Sequence, residues 1–232
     1  MEWDYPVYVE KEEKVDGSRA KKARRALSRA EAIQYIAGDD PRPLLVLREC
    51  KVCNGTDDAL LKGGIDNEKT FVLSFWFHCV KLPADVMEED HPFHNLFTEK
   101  QPEHLFVCSV DGSNHDPLQS ETSRTELWSS MRDLLAKEYK SKPDSSVKKI
   151  AKLLDKMDLA DERMSELTSR RDDVLEDEGP KSRKLPKINK KIKKEGEKRS
   201  ELKEAVAKAA KLELKKKKKA APAAAEPAEA GK

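Results

Sequence analysis

The sequence predicts an α/β domain followed by a two-helix arm, on three observations. Apolar strand-like runs alternate with helical patterns through residues 1 to 140, heptad spacing replaces them beyond residue 145, and charge divides between the same two parts. Of 232 residues, 39% are charged and 37% hydrophobic, against about 25% and 45–50% in an average soluble domain. One compact domain filling the whole length is thereby excluded.

The net charge of +2 hides the division. Residues 181–232 carry 19 Lys+Arg and 7 Asp+Glu, a net of +12, which leaves −10 for residues 1–180. An acidic body with a basic arm follows. Every Cys, His, Trp and Phe precedes residue 130, so the side chains fit for chemistry gather in the body. No stretch approaches the roughly 18 consecutive apolar residues of a membrane span. Met1–Pro6 also lacks the basic and apolar regions of a secretory signal, so a cytoplasmic protein without membrane contact is expected.

Within residues 1–140, Tyr5–Glu10 alternates like a strand, and Lys11–Arg25 is too charged to bury. Ser28-Arg-Ala-Glu31 is a capping box, in which Ser and Glu satisfy each other's backbone donors, and it opens a helix through Ile33 and Ile36 that stops at Gly38. Pro43–Leu47 is a continuous apolar run of the kind covered on both faces of a sheet. Thr56–Leu61 reads as a helix closed by Gly63-Gly64, Thr70–Val80 and Leu105–Val110 as strands. Ser123–Tyr139 closes the domain as a helix with Leu127, Met131, Leu134 and Leu135 inward.

The arm begins after the breaker Lys142–Ser146, where Asp144 or a serine caps a helix from Val147. Ile150, Leu153, Met157, Ala160, Met164, Leu167, Arg171 and Val174 step by threes and fours, which aligns them as one seam. Gly179-Pro180 breaks the helix. Ile188, Ile192, Glu195, Arg199, Leu202, Val206 and Ala209 repeat the spacing. Residues 145–214 therefore predict an antiparallel coiled-coil hairpin, its seam weakened by Arg171, Glu195 and Arg199, and available to a partner or a second copy. Residues 215–232, Lys- and Ala-rich, cannot bury enough apolar surface to offset ordering and are expected to be disordered. Lys215–Lys219 would give the tail weak, nonspecific contact with phosphate or nucleic acid.

Chemistry concentrates at Cys50-Lys51-Val52-Cys53, which follows the buried strand and opens a helix. Unpaired N–H groups at a helix start favour the thiolate; Lys51 adds to this and Glu49 opposes it. The two-residue spacing suits dithiol–disulfide exchange. The alternatives are two inert thiols, or half of a zinc site completed by His91 and His94, to which a helical CxxC start is a poorer match because a zinc knuckle needs turn residues around its second Cys. Cys79 and Cys108, in apolar strands, are expected to be core residues. His78 reads as a solvated strand-end residue, and His104, two residues after Pro102, is placed to tune the thiols. The phosphate-cradling and nucleophile-elbow motifs of nucleotide binding and serine hydrolysis are missing.

This order of elements, with CxxC at a strand-to-helix junction and Gln101-Pro102-Glu103-His104-Leu105-Phe106-Val107 leading a later strand, resembles the thioredoxin-like family over residues 5–139. The resemblance implies a central sheet flanked by helices, with Cys50 as attacking thiol, Cys53 as resolving thiol and Pro102 as the cis-proline that receives substrate peptide. It implies thiol–disulfide exchange or redox sensing toward protein thiols or disulfides, with no cofactor. Glu49 stands where the family has an aromatic, and Lys51-Val52 where it has Gly-Pro. These departures favour the alternative of a non-catalytic adaptor acting through the helical arm; a zinc-stabilised binding domain is a further alternative.

Overall fold

The computed structural model describes residues 1–9, 26–49, 60, 62, 64, 67–97, 103–119 and 121–215. The elements are α1 (Arg29–Ala37), β1 (Leu44–Arg48), α2 (Glu68–Ser74), β2 (His78–Leu82), 3-10 turns at Ala84–Met87 and His94–Leu96, β3 (Leu105–Cys108), β4 (Asp116–Leu118), α3 (Arg124–Glu138), α4 (Pro143–Glu178) and α5 (Leu185–Ala210). The α/β class stands. Cys50, Cys53, Pro102, the Lys11–Arg25 segment and most of Thr56–Gly64 lie outside the described residues.

One mixed sheet of four strands has the order β2-β1-β3-β4. β1 runs parallel to β2, pairing Leu45 with Cys79, and antiparallel to β3, pairing Leu45 with Val107. β4 returns antiparallel to β3, with Leu118 opposite Leu105. The pleat sends alternate side chains to two separate cores. Leu45, Leu47, Leu105 and Val107 face α2, α3 and the base of the arm, while Leu44, Val46, Phe106 and Cys108 face α1 and the 83–97 segment.

The Ser28–Glu31 capping box and the Gly38 stop of α1 form as the sequence predicts, and α3 starts from a second capping box, Ser123 with Glu126. Three strand assignments change. Within Tyr5–Glu10 the described residues form no strand: Asp4 alone bridges Val80, donating to Cys79 and accepting from Lys81. The next ladder donor on that chain would be residue 6, a proline without an N–H. The segment instead turns over α1, where Tyr35 Oη donates to the Val7 carbonyl at 2.9 Å and accepts from Val9 N–H at 3.2 Å. Thr70–Val80 divides into α2 and β2, because a short run that is apolar throughout fits either period until its flanks decide. β4, with no strand signal in the sequence, is made by the turn after Cys108, where Gly112 has φ +78° against Ile33 and Ser109 accepts its N–H at 2.8 Å.

α4 opens at Pro143, not Val147, with no side-chain cap; proline's fixed φ suits the first helical position. α4 ends at Glu178 before Gly179, and α5 packs back antiparallel, with Lys184 paired to Glu178 near the tip and Arg199 to Asp161 at 2.5 Å. All eight seam positions of α4 are buried or half-buried; on α5 only Arg199 is exposed, and Asp161 holds it. At the base, Ile150 and Ala209 are buried in the same apolar cluster as Leu45, Trp76 and Leu135. Beyond α5, Leu214 bridges Tyr139, and Lys215 Nζ donates to the Ala136 carbonyl at 2.8 Å.

Candidate functional site

In open α/β sheets, ligands meet the carboxyl ends of the parallel strands. β1, flanked by β2 and β3, ends at Arg48, and its chain leads through Glu49 to Cys50. Extending the Leu47–Leu105 register brings Arg48 beside His104, and the Arg48 N–H donates to the His104 carbonyl at 2.9 Å. Glu49 N–H donates to the Leu82 carbonyl at 2.8 Å, at the same edge. The covalent neighbours of the CxxC and of Pro102 therefore lie on adjacent strands of one sheet edge.

The electrostatics of this edge are built from residues the sequence left unassigned. Glu103, directly after Pro102, is 2% exposed, with Oε1 at 3.1 Å from His115 Nε2 and 4.0 Å from the Arg29 guanidinium. Burial alone would raise its carboxyl pKa, but the His115 contact and the nearby positive charges outweigh it and hold the group below its usual range. Glu103 is thus a buried carboxylate. Arg48 Nε donates to the Glu103 carbonyl at 3.3 Å, its guanidinium lies 5.8 Å from the Phe97 ring centroid, and burial lowers its pKa. Arg29 lies similarly over Phe106, against which His115 also stacks. The one sequence signal for this cluster is a glutamate leading a fully apolar strand, since a buried carboxylate requires a cationic partner.

Glu49, which opposes a thiolate at Cys50, is itself answered by Lys81 Nζ at 2.7 Å. His104 is 1% exposed and sits within the edge, beneath the surface. His91 and His94 lie together across the 3-10 turn, joined by the His94 N–H to His91 carbonyl bond at 3.0 Å. His91 Nδ1 accepts from the Phe93 N–H at 3.1 Å, which occupies one of its two possible ligand atoms, and burial lowers its pKa. Among the described residues no three His, Cys, Asp or Glu side chains converge as a metal site; the Cys50 and Cys53 half of the zinc alternative lies outside them. Cys79 and Cys108 are buried free thiols, as expected, and burial pushes the Cys79 thiol up to about 12. His78 departs from its solvated reading, being largely buried with Nε2 at 3.3 Å from Asp4.

No described helix is long and apolar enough to cross a membrane. Comparison of the chain with protein-family models, with curated proteins and with solved structures returns no match.

Proposed function

We propose that the chain is a thioredoxin-like protein in which Cys50 and Cys53 exchange disulfides with protein thiols at the carboxyl edge of β1. One observation carries the reading: the Arg48–His104 bond, by which the strand leading to Cys50 and the strand entered from Pro102 run side by side. The order of pairing agrees with the resemblance. A parallel pair is connected through the CxxC segment, an antiparallel strand follows Pro102, and α3 closes the domain.

Chemically, the Cys50 thiolate attacks one sulfur of a substrate disulfide, forming a mixed disulfide and releasing the other substrate sulfur as a thiolate. Cys53 then attacks Cys50 and frees the second substrate thiol, so the substrate gains two electrons and the Cys50–Cys53 pair loses them. The arm is read as a coiled coil, supported by the burial of its heptad seams.

The test is alkylation of the full chain as a function of pH, with mass mapping after mild oxidation. The expected outcome is a Cys50 pKa below the ordinary value of about 8.5 and a reversible Cys50–Cys53 disulfide. An ordinary pKa with no such disulfide overturns the proposal, and one zinc per chain with protected thiols transfers the assignment to Cys50, Cys53, His91 and His94 as a structural metal set.

A further inference from the structure

The arm carries a second feature, independent of the cysteines. Between residues 181 and 194 stand eight Lys+Arg and no Asp or Glu. Four of these cations, Lys187, Lys190, Lys191 and Lys194, fall at i, i+3, i+4 and i+7 of α5, and all four are exposed. That spacing stacks them on one helix face over about 10 Å. Among the described residues none of the four is in an ion pair; those on the basic side of the arm engage Lys184, Lys193, Lys198 and Arg199. The acids of α4 do not neutralise the stripe either. The pairs Lys184–Glu178 and Arg199–Asp161 set the stripe level with about residues 166–176 of α4, where Glu166, Asp173 and Glu176 are exposed on the face opposite the seam, turned away from α5, and Asp172 is paired with Arg171.

We infer that this α5 stripe is a docking surface for the phosphate backbone of double-stranded nucleic acid, read without sequence preference. Charge complementarity selects a polyanion, since four unanswered ammonium groups in a row repel each other until anions lie against them. The composition of the arm selects among polyanions. No aromatic residue follows Tyr139, so the arm has no platform on which unpaired bases could stack, as single-strand binders require. α5 exposes no large apolar side chain; the exposed ones of the arm, Leu159 and Leu175, belong to α4, so the stripe lacks the apolar flank that seats an interfacial helix in lipid. Lysine, a point charge without a bidentate fork, suits backbone contact over base reading.

The test is fluorescence anisotropy of a labelled 20-base-pair duplex of mixed sequence with the full chain, at salt concentrations from 50 to 200 mM. With four to six phosphates neutralised, log affinity against log salt should have a slope of about −4 to −5. The K187Q/K190Q/K191Q/K194Q variant, which keeps strong helix formers, should weaken binding at least about 100-fold at 50 mM and flatten the slope by about 3 to 4. Unchanged circular dichroism of the variant shows that the fold is intact. A wild-type slope flatter than about −2 overturns the inference. So does undiminished binding by the variant, with the affinity lost instead on changing Lys215–Lys219 to Gln, or tighter binding to a single strand or to phosphatidylserine vesicles than to the duplex.

Discussion

The indole N–H of Trp76 donates to the carbonyl of Ala210 at 2.7 Å, joining residues 134 apart in sequence. Trp76 lies between α2 and β2, and Ala210 is the last residue of α5. The Tyr139 hydroxyl completes the connection by donating to the Trp76 carbonyl at 2.8 Å. Through these bonds and the burial of Ile150 and Ala209, the base of the arm and the sheet share one core.

Body and base of the arm should therefore unfold together. Ile150→Ala removes a side chain that is 0% exposed and should cost about 2–5 kcal/mol. In a denaturant titration the tryptophan signal of the body and the helix signal, most of it from the arm, should move to lower midpoint in step. Two separate transitions, with only the helical one shifted, would contradict this.

The buried thiols yield a pH prediction. Burial raises the Cys79 thiol most, with Arg42 pulling weakly the other way, to about 12. At pH 8 in the native protein, Cys79 should resist a thiol reagent that modifies Cys50 and Cys53, and react only on unfolding. Because the folded value lies above the unfolded one of about 8.5, its contribution to stability is complete below that pH and declines as pH rises toward about 12. Cys79→Ala should remove that part of the alkaline loss, measured by chemical denaturation at pH 8 and pH 10.

The Glu103 cluster gives the opposite sign. Its carboxyl is depressed relative to the unfolded chain, so its contribution is present above the unfolded value of about 4.3 and lost as pH falls through the folded one. Glu103→Gln should cost about 1.5–3 kcal/mol at neutral pH, and the gap between variant and wild type should narrow in acid. If Glu103 orders the edge used by Cys50, the same variant should also shift the pH profile of Cys50 alkylation, which a purely structural role would leave in place.

Much of this architecture was legible in the residues. Ser28 and Glu31, the Pro43–Leu47 run and the heptads of both arm helices carry local signals that the structure keeps, whereas the alternation of Tyr5–Glu10 and the apolar run of Thr70–Val80 were overruled by their surroundings. What was hidden depends on partners distant in the chain. Asp4 pairs with β2 while Pro6 ends the ladder, β4 forms because Gly112 can turn beneath Ile33, and Glu103 is a buried carboxylate because Arg29 and His115 arrive from elsewhere. None of these pairings has a period or spacing that a single segment could display. The CxxC signal was plain in the sequence, and the contribution of the fold is the edge on which its flanking strands meet.

Arg171, half-buried in the α4 seam and bonded only to the adjacent Asp172 at 2.8 Å among the described residues, marks a position where apolar contact is forgone. Arg171→Leu should stabilise the arm by about 1 kcal/mol through added apolar burial. Slower amide exchange along residues 164–178 would confirm it, and unchanged or faster exchange would show that the seam does not extend that far.

Because Ala209 and Ala210 complete the core around Trp76, the body cannot close when its own sheet has been synthesised. The strands are finished by Leu118, yet the last apolar cover arrives some ninety residues later, at Leu212 and Leu214. On a translating ribosome the sheet waits with one face incompletely covered, and consolidation follows only once the end of α5 has emerged. The order of synthesis thus makes the arm the element that decides when the carboxyl edge of β1 acquires its finished support.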